Sequence, residues 1–249
     1  MGDAKLIRVA PVDRKTADAA VKRWHYSGKV VNNSQLHLGV WMGGELLGAM
    51  QFGPSLDKRK LQGLVEGTPW NGFIELNRMA FSDKLPRNSE SRAIAVAMRM
   101  FLTLAPHIQW VVSFADGAQC GDGAIYRASG FALTGINRNT SCWSDGATVV
   151  SRTSMTKGPA IAATNGAAST DAIRAAGFRP IAGFMLRYVY FVDPTARGRL
   201  TVPVLPFSAI DAAGARMYRG AKILRAVPST PPGAPERVGG ATPTTALQP

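Results

Sequence analysis

From Leu6 to Val192 the apolar positions switch between a period of two and a helical period. Leu6–Pro11 reads as a short strand. Asp13 can cap a helix running to about Tyr26, with Ala17, Ala20, Val21 and Trp24 at helical spacing. Leu36–Met42 and Leu46–Phe52 are strand-like runs around Gly43-Gly44, a hairpin signal. Phe73–Phe81 is a further strand. Strict alternation puts Ile74, Leu76 and Arg78 on one of its faces and Phe73, Glu75, Asn77 and Met79 on the other. Asn88-Ser89-Glu90-Ser91 opens a helix, Ser91–Leu104, that ends before Pro106. Trp110–Ala115 is nearly all apolar, as expected of a strand buried on both faces. Gly123–Ser129 is a short helix closed by Gly130 and followed by a strand, Phe131–Ile136. Asp171–Ala176 with Gly177 repeats that pattern, and Met185–Val192 is the last clear strand. The segments AIYRASGF and AIRAAGF look alike, which chance recurrence of a helix ending in Gly-Phe explains better than duplication.

This order predicts an α/β fold: one domain with a mixed, mostly antiparallel, twisted sheet flanked by helices. The main domain spans residues 1–195, an extension packing on it spans 196–228, and the Pro/Thr/Gly-rich stretch 229–249 reads as a disordered tail. Thr156–Thr170, low in bulky residues, reads as a long loop.

Composition narrows the class. Apolar residues make up 46% of the 249, too many for a disordered chain. No apolar run reaches the roughly 18 residues of a membrane span. The start MGDAKLIRVAP has no apolar signal core, which predicts a cytoplasmic protein. Cys120 and Cys142 are too few for a disulfide framework and show no metal-binding spacing, so reduced thiols are expected. The charge says more: 29 Lys and Arg against 16 Asp and Glu give +13. Such an excess favours an anionic partner, most commonly nucleic acid.

Four clusters could carry chemistry. His25-Tyr26 stands at a helix end, where His can be acid, base or metal ligand and the phenol can donate a proton or bind iron. The plainer alternative is an ordinary helix terminus, where the dipole favours a His. Glu75-Leu76-Asn77-Arg78 interrupts an apolar strand, and charges there are costly unless paired or used. An edge strand is the alternative, and opposite faces keep Glu75 and Arg78 from pairing. The loop Leu85–Arg92 feeds a helix N-terminus, where free backbone N–H groups and the dipole form an anion site suited to a pyrophosphate. Arg87, Asn88, Ser89 and Ser91 are the candidate donors, and a capping box would use the same geometry. Ser113 and Asp116 lie at the carboxyl end of the central strand, where α/β sheets usually bind ligands. Asp116 is a candidate base or ligand, with a turn Asp as the alternative, and no G-x-S-x-G hydrolase signature is present.

The segment Ala124–Phe131 resembles the last helix and strand of the GNAT acetyltransferases, whose pattern is ALY-x-x-x-GF. The helix-start loop departs from that fold: it has Arg-Asn-Ser-Glu-Ser at Arg87–Ser91 in place of a Gly-rich run. The combination ELNRMAF, LPRNSESRA, VVSFADG and GAIYRASGF is similar to the Mom family of phage DNA-modification proteins, a divergent GNAT branch. The similarity runs from about Lys22 to Val192. It implies a catalytic GNAT-like domain over 1–195. It also implies an acetyl-CoA-dependent enzyme that places a carbamoylmethyl group on the exocyclic amine of adenine in double-stranded DNA. The mark protects phage DNA from restriction in the host cytoplasm. Iron is implied as a second cofactor, with His25, Tyr26 and Asp116 as its ligands. A homodimer is left open. Carried over by position, His25 and Tyr26 match the family's HY pair, Arg78 its strand Arg, Ser91 its helix-start Ser, Asp116 its strand-end Asp and Tyr126 the GNAT Tyr.

In that reading His25, Tyr26 and Asp116 surround the metal or acyl group, and Tyr126 acts as acid at the thioester. Arg78 orients an anion, while Arg87, Asn88, Ser89, Ser91 and Ser113 hold the cofactor. The adenine amine is buried in the duplex, so base flipping is expected. Trp24, Trp70 and Trp143 are stacking candidates, each with core packing as its plainer role. Two other functions compete. An ordinary acetyltransferase acting on a small amine or protein needs no basic surface. A non-catalytic phage DNA-binding protein explains the charge but not the polar residues that interrupt strands.

Overall fold

The computed structural model describes residues 3–140, 142–151, 169–218 and 221–222. Helix α1 (Arg14–Trp24) starts at its cap, where Asp13 Oδ1 accepts the Thr16 N–H at 2.8 Å. The small face Ala17 and Ala20 then packs on Ala49. In chain order the strands are β1 (Arg8–Pro11), β2 (Leu36–Met42), β3 (Glu45–Gly53), β4 (Phe73–Phe81), β5 (Trp110–Asp116) and β6 (Ala132–Arg138). They are followed by β7 (Cys142–Ser144), β8 (Val149–Ser151), β9 (Arg179–Pro180) and β10 (Phe184–Phe191). The main sheet has seven strands in the order β1-β2-β3-β4-β5-β10-β6. All neighbours in it are antiparallel except β4 and β5. The predicted mixed, mostly antiparallel sheet is therefore present. A small sheet, β8-β7-β9, stands beside it.

Helices α3 (Ser89–Leu104) and α4 (Ala124–Ala128) cover one face of the main sheet. Ile94, Met98 and Phe101 of α3 and Tyr126 of α4 join Leu38, Phe52, Leu76, Val111 and Tyr188 in the principal core. On the other face lie α1 and a second cluster. There Leu61 of helix α2 (Lys58–Gln62), with Leu64 and Val65 just beyond its end, meets Phe73, Trp110, Val112 and Ala196. Ile210 and Ala215 are buried in the principal core.

Some expectations change. Leu6 belongs to a 3-10 turn, Asp3–Leu6, and the strand begins at Arg8. Helix α3 starts at Ser89, two residues early, behind Asn88 at φ 72°, and no side chain caps it. The largest correction concerns β4. Gln51 pairs with Arg78 and Phe52 with Leu76, so Asn77 is an extra, bulged residue. A bulge resets the alternation. Leu76 and Met79 both face the principal core, while Arg78, opposite Gln51, turns to the α1 face that Glu75 shares. Glu75 and Arg78 are thus on one face, contrary to strict alternation. Residues 156–168 of the expected loop and the whole 229–249 tail lie outside the described residues.

Candidate functional site

β4 and β5 pair only through Phe73–Glu75 and Trp110–Val112. Past that point the Asn77 bulge bends β4, while β5 keeps its ladder with β10 as far as Asp116. The carboxyl ends of the two parallel strands are left unpaired with each other. A cleft of about 630 Å³ opens there, lined by His25, Tyr26, Glu75, Arg78, Asp116 and Tyr126 among others. His25 and Tyr26 reach it because α1 ends at Trp24; Tyr126 reaches it from α4 on the opposite face.

Each group is held in a definite state. His25 Nδ1 accepts the Ser27 N–H at 3.1 Å and faces Ser27 Oγ at 2.8 Å. A ring nitrogen that accepts a backbone N–H carries no proton, so the neutral ring keeps its proton on Nε2. Burial, then the Arg78 charge, holds the His25 pKa down to about 4. Tyr26 lies against His25 with ring centroids 4.2 Å apart and planes tilted by 32°. Its ring is 54% exposed, but burial of the phenol in the cleft, then the Asp116 carboxylate, raises its pKa and keeps it protonated. Tyr126 is buried, and burial pushes its phenol up to about 12. Burial also raises the Glu75 carboxyl above the usual range, against the opposing pull of Ser55, Asn77 and Arg78. Arg78 donates through Nε to the Lys29 carbonyl at 2.9 Å and through Nη1 to the Asn77 carbonyl at 2.7 Å. Asp116 accepts the Ala118 N–H on Oδ1 at 3.0 Å and Gln119 Nε2 on Oδ2 at 2.8 Å.

The Mom protein family profile matches residues 6–209. The chain belongs to the Mom family. The methylcarbamoylase Mom of Escherichia phage Mu is 42% identical over 138 residues, which is 55% of this chain. The match spans only 57% of that relative's length. Similar solved structures include a Bacillus subtilis acetyltransferase in complex with CoA, at TM-score 0.42 and 10% identity, covering 74% of this chain and 97% of that one. A spermidine/spermine N-acetyltransferase from Vibrio cholerae gives TM-score 0.43 and 8% identity, over 78% of this chain and 98% of that one.

In this Mom family member the other expected site residues divide. Ser91 lies in the first turn of α3, with its Oγ donating to the Asn88 carbonyl at 3.2 Å, and Arg87 is exposed beside it. Ser89 is fully buried and donates to the Pro86 carbonyl at 2.7 Å. Ser113 is buried near the Tyr126 phenol, its Oγ has no hydrogen-bond partner among the described residues, and it does not line the cleft. Both serines are turned inward, away from any cofactor in the cleft. Of the tryptophans, Trp24 lines the cleft, Trp70 is half exposed, and Trp143 is buried in the small sheet's core.

His25, Tyr26 and Asp116 line one cleft, where Ser27 engages His25 Nδ1 and each Asp116 oxygen accepts one hydrogen bond, so His25 Nε2, the Tyr26 phenol and the second lone pairs of the Asp116 carboxylate are the atoms that would hold a metal. Among the described residues no three His, Cys, Asp or Glu side chains are gathered as a metal site. Two features escaped the sequence reading. Strict alternation sets Glu75 and Arg78 on opposite faces, whereas the Asn77 bulge, which a pattern of period two hides, turns Arg78 to the face of Glu75, and both line the cleft. Cys142 reaches Asp116 Oδ2 at 3.8 Å from β7, and burial pushes its thiol up to about 11, so it is an inert neighbour of the site.

Proposed function

We propose that the chain is a DNA-modifying transferase that places a carbamoylmethyl group on the exocyclic amine of adenine in double-stranded DNA, with acetyl-CoA as a cofactor. The mark would shield phage DNA from restriction in the host cytoplasm. The observation that carries this reading is the cleft itself. One splayed strand pair gathers a neutral His, two protonated phenols, a buried carboxyl and an Arg in a chain of net charge +13.

The chain's residues take distinct parts. Glu75, whose raised pKa keeps it a stronger base than an exposed carboxylate, takes the proton that the amine sheds. Tyr126, with its pKa near 12, stays protonated and donates to the developing negative charge on the departing group. Neutral His25 donates from Nε2, and Arg78, with two of its donor groups fixed to carbonyls, turns its remaining donor atom to an anionic group. Bound acetyl-CoA would supply the two-carbon unit; a carbamoylmethyl group also requires an ammonia-level nitrogen donor and a two-electron oxidant as co-reactants, and no residue of the chain is assigned to either. Arg87 and the first turn of α3, whose N-terminus has no side-chain cap, suit its pyrophosphate. Glu90 in that turn opposes an anion, so Arg87 has to outweigh it. No step is assigned to iron.

A second reading has one observation in its favour. Glu75, Glu90, Asp116 and Asp122 all line the cleft, and such acidity also suits a small cationic amine. One experiment separates the two. The chain is expressed in cells carrying a plasmid, and the plasmid is digested to nucleosides and weighed by mass spectrometry. A deoxyadenosine heavier by a carbamoylmethyl group, absent with Asp116→Ala, is expected. Unmodified DNA from soluble protein would defeat the reading.

A further inference from the structure

The loop between β3 and β4 is pinned at its base and bare at its tip. At the base Asn33 Nδ2 donates to the Pro54 carbonyl at 2.6 Å. Ser55 is buried beside the Glu75 carboxyl, which lines the cleft. One residue further, Leu56 is 89% exposed, more than any other large hydrophobic among the described residues. Lys58, Arg59 and Lys60 follow in α2, and among the described residues no carboxylate pairs with them. Lys58 Nζ stands 4.8 Å over the ring of Trp70, which is itself 51% exposed.

We propose that this loop is a wedge that opens duplex DNA beside the cleft. Leu56 enters the base stack next to the adenine, and Lys58, Arg59 and Lys60 hold the flanking phosphates. The proposal rests on the reading of duplex DNA as substrate. An amine inside the stack cannot meet Glu75 or Tyr126 unless its base leaves the helix. Extrusion leaves a gap that costs a few kcal/mol, and an apolar side chain inserted between base steps offsets that cost. The placement fits: Leu56 follows directly on Ser55, which stands beside the Glu75 carboxyl, and Glu75 lines the cleft. Lys58 Nζ donates to Asn71 Oδ1 at 3.1 Å, but with no carboxylate to neutralise it among the described residues the basic run supplies charge complementary to phosphate, and phosphate contacts would set the register in which the wedge works.

The test uses the full chain and a linear mixed-sequence duplex. Filter binding over a salt series reads affinity, and permanganate reactivity of thymines reads base pairs opened by extruded adenines. Wild type is expected to bind and to raise thymine reactivity. Leu56→Ala, at a solvent-exposed position, should bind within about twofold yet lose most of that reactivity, because the wedge and not the backbone contact is gone. The triple variant K58Q/R59Q/K60Q should bind at least about tenfold more weakly, with a salt slope shallower by about 2 to 3. Wild-type reactivity in Leu56→Ala, or an unchanged slope in the triple variant, overturns the wedge alone. A wild type that neither binds nor opens the duplex overturns the DNA reading and the wedge together.

Discussion

The chain builds one helix end twice. Tyr126-Arg127-Ala128-Ser129-Gly130-Phe131 and Ile173-Arg174-Ala175-Ala176-Gly177-Phe178 are identical at four of six positions. The glycines sit at φ 84° and 90°. The Phe131 N–H returns to the Tyr126 carbonyl at 3.0 Å, and the Phe178 N–H to the Ile173 carbonyl at 3.2 Å, the bond that closes a glycine-capped helix. There the likeness ends. α4 follows the splayed β5, so Tyr126 reaches the cleft. The helix Thr170–Ala175 precedes the two-residue β9, and Ile173 packs on Trp143, Val150 and Phe178. Arg127 forms a buried pair with Asp122, where the side chains are 17% and 8% exposed; Arg174 and Asp171 are 55% and 94% exposed. Local sequence dictates the cap, and the place of the helix in the sheet dictates what the cap is used for.

Substitutions can break this comparison. The largest difference should come from the ion pairs. Asp122→Ala strands the buried Arg127 and should cost about 3–5 kcal/mol, whereas Asp171→Ala should cost no more than about 0.5 kcal/mol; denaturant melts read both. Equal losses would mean that burial does not distinguish the two helices. Next comes the matched core position. Tyr126→Phe should lower modification by at least about 100-fold if its hydroxyl is a proton donor, with little change in stability. Ile173→Val should cost about 0.5–1.5 kcal/mol and leave modification intact. The glycines should then behave alike: Gly130→Ala and Gly177→Ala each force a Cβ into left-handed backbone at about 1–2 kcal/mol. No atom within 3.4 Å crowds either site. A much larger loss at one of them would show that the caps are not equivalent.

The smallest effect is a pH dependence that centres on His25 in the cleft, and His37 of β2, which burial also holds below its ordinary value, adds to it in the same direction. His25 is depressed in the folded state to about 4, below the ordinary value of about 6.5. Its contribution to stability is therefore complete above about pH 6.5 and is lost as the pH falls toward 4. None of the three histidines lies in the small sheet. Replacing His25 by Gln should flatten the wild-type decline in melting temperature across that window. An unchanged decline would assign it to another group.

Local signals in the sequence reach far into this fold. Asp13, Gly43-Gly44, the alternation in β2 and β3, and the two Gly-Phe ends each act through neighbours a few residues away, and each element stands where those neighbours put it. His25, Tyr26, Arg78, Asp116 and Tyr126, scattered over a hundred positions in the chain, are gathered at one cleft. What stayed hidden depends on pairing between distant segments. The Asn77 bulge exists only relative to β3, and it alone brings Glu75 and Arg78 to one face. Strands β7 and β8 are three residues each in a Ser, Gly and Asp-rich stretch whose pattern carries no period. Ser89 and Ser113 look like donors in the sequence, but each is turned inward by the element that holds it.

The central claim is that the cleft at the splayed strands modifies adenine, and that its copy of the helix end, not the other, serves that chemistry. The direct measurement is the nucleoside mass of plasmid DNA from cells producing wild type, Tyr126→Phe or Ile173→Val. The account predicts the heavier deoxyadenosine with wild type and Ile173→Val and its near absence with Tyr126→Phe. A full yield of modified deoxyadenosine from soluble Tyr126→Phe would contradict it.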